Sequence, residues 1–331
     1  MPEKIRIGLI GCGGIVERVS AGIVSNGLAD ITAVFDINEV NRKKYAEKYN
    51  AVSVDKLENL LASDLEGVAI STPPATHYEL VLKALNAGKN VYVEKPMAIR
   101  IDDAEEMNAV AKKTGKILMV GQVLRYYEPM RTILRIAKER IYGAPLQATA
   151  WRISHNDFSK GPKWRTIRAM TGGFLYEVGI HEMDFLRNLM CGKIVEVHAI
   201  EEKKLPSPHE IEDLISVHAR FDNGCVVSYL GGVGFSQGDY GFSIRFEGCI
   251  MRSRAATNSK LLEVQLPSGE IVDNETLGFS TEAPFNVELG GWVKSIIDNT
   301  QPPIPGTDAV ETVRFVDAAY KSVKTGNIIR L

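Results

Sequence analysis

The sequence predicts an α/β chain built from a doubly wound parallel sheet followed by an α+β domain with an open, mainly antiparallel sheet. Three observations carry this. Short apolar runs alternate with helical stretches through residue 122, and a glycine turn, Gly11-Cys12-Gly13-Gly14, joins the first run to the first helix. Beyond Gln122 the rhythm changes to successive strand-like runs joined by turns. A chain of 331 residues exceeds one small core, so the expected division is a doubly wound domain at 1–122 and an α+β domain at 123–331.

The first half is read in order. Ile5 to Ile10 is an apolar run of strand length, and Ile15 to about Asn26 has helical spacing. Ile31–Phe35 reads as a strand, Glu39–Tyr49 as a helix, Val52–Val54 as a short strand and Lys56–Ala62 as a short helix. Gly67–Ser71 is a buried strand, and Thr76 is placed to cap a helix that runs to Asn86 and stops at Gly88. Asn90–Val93, a helix over Asp102–Thr114 and Ile117–Val120 complete the set. Parallel neighbours need crossover helices, so six such strands predict a parallel, doubly wound sheet with its ligand site beyond the strands' carboxyl ends.

A glycine turn alone also fits a plain turn; together with the strand and acid that follow it, this one reads as a dinucleotide site. Strand, glycine turn and helix place unpaired helix N–H groups against a pyrophosphate, which is the Rossmann arrangement. Gly11 permits the tight turn, Gly13 lets the backbone approach the phosphates, and Gly14 and Ile15 complete the cofactor-facing stretch. Asp36 ends the second strand, where a carboxylate accepts hydrogen bonds from the adenosine ribose. A carboxylate there repels a 2′-phosphate, so NAD is favoured over NADP. Arg42, Lys43 and Lys44 fall on the next helix and read as a solvated face.

In the second half, a helix near Pro129–Ile141 leads to an alternating strand at Leu146–Ile153, and a helix follows from about Leu175 to Met190. Strand-like runs follow at 194–200, 214–221, 226–230, 242–247 and 261–266, with Asp222-Asn223-Gly224 as a hairpin turn. Two helices near 286–299 and 309–324 close the chain. Helices packed on one face of such a sheet leave the other uncovered, which predicts a homodimer or homotetramer formed through it.

Bulk properties exclude several classes. The net charge of −2 gives no basic field for nucleic acid. No apolar stretch approaches the length of a membrane span, and the N-terminus runs straight into a strand without a signal peptide, so a cytoplasmic protein is expected. Cys12, Cys191, Cys225 and Cys249 have no C-x-x-C spacing and read as reduced thiols, with no metal site.

Two clusters carry chemistry. Glu94-Lys95-Pro96 follows an apolar strand, so Lys95 is either a loop lysine or a cation that orients a hydroxyl or carbonyl. In Gly172–Asp184, helical spacing puts Glu177, His181 and Asp184 on one face. A carboxylate beside a histidine tunes it for proton transfer, and the same spacing also fits a surface ion-pair row. A single histidine at that spacing is not a zinc pattern.

The order of motifs resembles the glucose–fructose oxidoreductase and inositol dehydrogenase family, Gfo/Idh/MocA. It is carried by G-x-G, the strand-end acid, S-T-P-P-A-T-H at 71–77, E-K-P at 94–96 and G-G-x-L-x-E-x-G-x-H-x-x-D at 172–184, and it runs nearly end to end. The resemblance implies an NAD-dependent oxidoreductase acting on a secondary hydroxyl or keto group of a sugar, sugar derivative or cyclitol. It implies Lys95 as the catalytic lysine, often followed by a cis proline, and His181 as the proton carrier. Glu177 falls where many members have aspartate, and Val16 falls where alanine or glycine is usual. Thr72, Pro73, His77, Glu94 and Gln122 match positions that line the cofactor.

Substrate contacts are expected from Lys95, from Arg125 and Tyr126 after the last parallel strand, from Arg152 at a strand end, from Trp164 and Arg165, and from His181 and Asp184; the Trp151 and Trp164 indoles either stack on a sugar or belong to the core. Lys160, Lys163, Arg165 and Arg168, set against Asp157, form either an anion-reading loop or a solvated basic one. Two rival functions remain: a glycosidase of the same family that oxidises its sugar transiently, and a sensor that binds NAD and sugar without turnover.

Overall fold

The computed structural model describes residues 4–155, 161–205, 209–255 and 257–331. The chain packs as two units, Met1–Val123 with Glu282–Glu311, and Leu124–Thr281 with Thr312–Leu331.

The first unit holds a parallel sheet of β1 (Ile5–Ile10), β2 (Ala29–Phe35), β3 (Val52–Val54), β4 (Gly67–Ile70), β5 (Asn90–Val93) and β6 (Leu118–Val120), in the order β3-β2-β1-β4-β5-β6. Helices α1 (Val16–Val24), α2 (Glu39–Tyr49), α3 (Leu57–Ala62), α4 (His77–Asn86) and α5 (Ile101–Thr114) connect them. Ile7, Leu9, Ile10, Val68, Ile70, Val91 and Val93 are buried, as continuous apolar runs covered on both faces require. Asn38 caps α2, its side chain accepting from the Val40 and Asn41 amides. Thr76 does not cap α4; its hydroxyl turns to Thr72 Oγ1 and the Pro73 carbonyl, in a 3-10 turn that precedes the helix. Val16 is fully buried at the start of α1, so the larger side chain is accommodated within the core.

The second unit contains α6 (Met130–Glu139), β7 (Pro145–Ser154), α7 (Arg168–Thr171) and α8 (Ile180–Leu189). Strands β8 (Ile194–Glu202), β9 (Leu214–Phe221), β10 (Val226–Val233), β11 (Asp239–Phe246), β12 (Ile250–Ser253) and β13 (Glu263–Gln265) follow. With the terminal β14 (Ile329–Arg330) they form one sheet in the order β13-β12-β11-β7-β10-β9-β8-β14. Only β7 and β10 pair in parallel; every other neighbour is antiparallel. Gly224 makes the expected hairpin turn with φ of 85°. Alternate residues of β7, Ala148 and Ala150, are buried, and α8 packs on β7 and β10. On the opposite face Ile200, Leu214, Val226 and Leu230 are exposed.

The single expected boundary after Gln122 is corrected in one respect: the chain returns to the first unit. Helix α9 (Pro284–Asp298) packs on α1, where a Cβ on Gly22 would lie 2.6 Å from the Phe285 carbonyl oxygen. Only glycine allows that approach. The last helix, α10 (Gly306–Thr325), begins in the first unit and ends in the second. Among the described residues no helix is long and apolar enough to cross a membrane.

Candidate active site

In the first unit, the candidate cofactor site begins at the glycine turn. Gly11 has φ of 89°, and a Cβ there would lie 2.6 Å from Thr72 Cγ2 and 2.9 Å from the Ser71 backbone. The turn therefore needs glycine both for its conformation and for space. Cβ atoms on Gly13 and Gly14 would meet nothing, so the loop leaves an open cradle in front of α1. Asp36 Oδ2 accepts from the Cys12 amide at 2.6 Å, and Oδ1 accepts from the Asn38 amide at 2.6 Å. Each oxygen keeps a further lone pair for a ribose hydroxyl. Arg42 folds back to donate to the Asp36 carbonyl at 2.9 Å instead of standing free in solvent. Burial and the nearby Asp36 push the Cys12 thiol up to about 12, so it packs as an unreactive thiol.

At the other half of the sheet, Thr72 and Pro73 are half-buried after β4, and Lys95 is half-buried after β5. The Lys95–Pro96 bond is cis. Glu94 is buried; its Oε1 accepts from Tyr92 Oη at 2.8 Å and its Oε2 from the Lys95 amide at 3.3 Å. Burial raises the Glu94 carboxyl above its ordinary range, against the Tyr92 hydrogen bond and the Lys95 charge. Gln122, after β6, is buried, and its Oε1 has no hydrogen-bond partner among the described residues. An open glycine cradle, an oriented strand-end acid and a buried amide oxygen awaiting a donor fit a dinucleotide.

His77 departs from its expected place on the cofactor. Its ring is completely buried, with Nδ1 2.8 Å from the Pro96 carbonyl and Nε2 2.9 Å from the Thr72 carbonyl. It ties the loop after β4 to the loop after β5, and burial lowers its pKa although both carbonyls favour the charged ring. With both nitrogens engaged it is a brace, not a ligand.

In the second unit, Glu177 and His181 lie on the expected stretch, but the helix is not uniform. Leu175–Gly179 is a π-turn that feeds α8, a device often found at functional sites. Glu177 is buried and pairs with Arg165 Nε at 2.9 Å; the Arg165 guanidinium also lies over the Trp164 ring at 5.4 Å. His181 is half-buried at the start of α8. Arg152, on the helix-covered face of β7, donates to buried Glu182 Oε1 at 3.1 Å, and Tyr240 Oη donates to the same oxygen at 3.0 Å. Trp151 lies on the other, open face, where its ring covers Gly241.

Asp184 is corrected from a substrate contact to a structural one. Its Oδ2 and Oδ1 accept from Arg125 Nε and Nη2, both at 2.6 Å, and Oδ1 also accepts from Thr312 Oγ1 at 2.8 Å. A bidentate pair, fully buried on the carboxylate side, leaves Asp184 no face for a ligand. Arg125 and Tyr126 stand half-buried in the turn after β6. Asp157 and Lys160 of the basic loop lie outside the described residues; Lys163 is exposed, and Arg168 is bonded to Glu201 and Glu212.

Two buried carboxylates, Glu212 in the second unit and Glu288 in the first, and the half-buried Tyr320 lack any sequence signal. Glu212 Oε1 accepts from the Phe174 amide at 3.1 Å and from Tyr320 Oη, while Tyr320 Oη accepts from the Leu175 amide at 2.9 Å. Together they cap the π-turn that leads to Glu177 and His181. Glu288, on α9, accepts from the Gln122 amide just after β6. Their partners are far away in sequence, so no local spacing marks them.

Comparison with known proteins agrees with this fold. The model described as "Oxidoreductase family, NAD-binding Rossmann fold" matches residues 5–122, and the "GFO/IDH/MocA C-terminal domain" model matches residues 130–248. The chain is 25% identical over 327 residues to a 1,5-anhydro-D-fructose reductase of Ensifer adhaerens, covering 97% of each. It is 32% identical over 170 residues to a 2,7-anhydro-N-acetylneuraminate hydratase of Mediterraneibacter gnavus, covering 51% of this chain and 45% of that protein. The fold matches the WlbA dehydrogenase of Bordetella pertussis, solved with NADH and UDP-GlcNAcA, at a TM-score of 0.86 and 21% identity over 99% of both chains.

Proposed function

The chain belongs to the Gfo/Idh/MocA family and is an NAD-binding oxidoreductase, and from that premise we propose that it moves a hydride between nicotinamide and a secondary hydroxyl or keto carbon of an uncharged sugar or cyclitol. When bound, the nicotinamide supplies the hydride acceptor or donor. Lys95 holds the substrate oxygen by charge and hydrogen bond, which favours the alkoxide-like oxygen that develops as hydride leaves. His181 takes the hydroxyl proton during oxidation and returns it during reduction, and Glu177 orients the histidine.

The single observation that carries the uncharged substrate is the charge balance of the second unit. Arg125, Arg152 and Arg165 are each matched by a carboxylate of the Glu177–Asp184 stretch, namely Asp184, Glu182 and Glu177. Arginines already neutralised in this way offer little net attraction to repay the desolvation of a phosphate or carboxylate. Hydroxyl groups need only donors and acceptors. The open sheet face with Ile200, Leu214, Val226 and Leu230 supports a homodimer or homotetramer.

The testing experiment follows NADH fluorescence while the protein is incubated with NAD and free sugars, inositols, sugar phosphates or UDP-sugars. NADH formation with a neutral sugar or inositol is the expected result. Formation only with charged sugars would overturn the uncharged substrate while keeping the reaction. A second reading is favoured by the relative named as a hydratase: transient oxidation that returns its hydride. That reading predicts substrate consumption without net NADH.

A further inference from the structure

We propose that Glu288 is a positioning residue for the nicotinamide end of the cofactor site. The inference rests on the reading of the first unit as an NAD site. Strand order reverses between β1 and β4, so a dinucleotide straddles that point, with its adenosine on the Asp36 side and its nicotinamide over β4, β5 and β6. The ends of β5 and β6 carry Glu94, Lys95 and Gln122, and Glu288 reaches this end from α9, 166 residues beyond Gln122.

Glu288 is completely buried. Its Oε1 accepts from the Gln122 amide at 2.6 Å, and its Oε2 accepts from Tyr92 Oη at 3.3 Å. The same Tyr92 oxygen lies 2.8 Å from Glu94 Oε1, so one side chain of α9 governs both the backbone of Gln122 and the phenol that seats Glu94. The phenol has no slack on its Gly121 side: a Cβ on Gly121 would lie 2.3 Å from Tyr92 Oη. Packing alone does not account for a glutamate here, because an apolar side chain of similar volume would fill the space without the cost of desolvating a carboxylate. Gln122 presents a buried side-chain oxygen without a hydrogen-bond partner among the described residues, an acceptor suited to the NH₂ of a carboxamide. Glu288 sets where that acceptor stands.

The test compares equilibrium binding of NADH and of ADP-ribose to the full chain by calorimetry. ADP-ribose keeps the adenosine, the pyrophosphate and the second ribose and lacks the nicotinamide. For Glu288→Ala the expected result is an NADH Kd raised about tenfold, equivalent to ~1.4 kcal/mol, with ADP-ribose binding within about twofold of the parent. Glu288→Gln restores NADH binding, since its carbonyl can accept from the Gln122 amide and its NH₂ can donate to the Tyr92 oxygen. Should Glu288→Ala not fold, Glu288→Asp, one methylene too short to serve both partners, shows the same selective loss. Equal weakening of both ligands, or no weakening of NADH by either variant, overturns the proposal and leaves the NAD reading intact. A parent protein that binds neither ligand overturns both.

Discussion

The carboxylate of Asp36 and the amide of Cys12 are joined by a 2.6 Å hydrogen bond that links the end of β2 to the glycine turn after β1. The acid proposed to meet the ribose therefore also holds the loop proposed to meet the phosphates. Arg42 sits on the Asp36 carbonyl at 2.9 Å. Replacing Asp36 with alanine removes both the ribose acceptor and the repulsion that disfavours a 2′-phosphate, and leaves Arg42 in place. Asp36→Ala is expected to raise the NADH Kd about tenfold or more and to shift the NADPH/NADH preference in the opposite direction by a similar factor. Fluorescence titration with both nucleotides measures it, and an unchanged ratio would remove Asp36 as the selectivity element.

Lys95 stands half-buried beyond β5, with its backbone amide tied to Glu94. Lys95→Ala is expected to lower turnover by about two to four orders of magnitude, the range for loss of a positioned acid–base or electrostatic group. NADH binding stays within a few-fold, because the glycine turn and Asp36 are untouched. Equal turnover in the variant would take Lys95 out of the chemistry.

Glu212 gives a pH dependence. Burial raises its carboxyl above the ordinary value, outweighing the Tyr320 hydrogen bond and the Arg168 charge. The folded chain thus holds this proton more tightly than the unfolded chain. The group's stabilising contribution is complete below the unfolded value of about 4.3 and is lost as pH rises through the elevated folded value. Glu212→Gln keeps an acceptor for the Phe174 amide and cannot ionise. Urea unfolding from about pH 4 upward should show a flatter stability curve for the variant than for the parent; parallel curves would contradict the assignment.

Leu230 is 47% exposed on the open face of the second sheet, beside Ser216 and Trp151 on the flanking strands. Leu230→Lys places a charge in the middle of the proposed subunit contact, where burying it is costly. Light scattering after size-exclusion chromatography is expected to show a dimer or tetramer for the parent and a smaller species for the variant. A parent that runs as a monomer would end the proposal.

The sequence by itself determined what depends on neighbours along the chain. Apolar runs of strand length separated by helical spacing specified the parallel sheet, and Asp222-Asn223-Gly224 specified a hairpin of the second sheet. Gly11, Gly13 and Asp36 stood out because a phosphate-facing turn and a ribose acceptor need those residue types at those places. Tertiary structure alone decided how the buried charges are used. His77 is a brace because two carbonyls from separate loops meet its ring, and Asp184 is structural because Arg125 and Thr312 occupy its oxygens. Glu288 reaches Gln122 only because the chain returns to the first unit and Gly22 lets α9 approach α1. The physical reason is common to all three: local periodicity reports which face of an element is buried, whereas a buried polar group is satisfied by whatever partner the fold delivers, at no fixed distance in sequence.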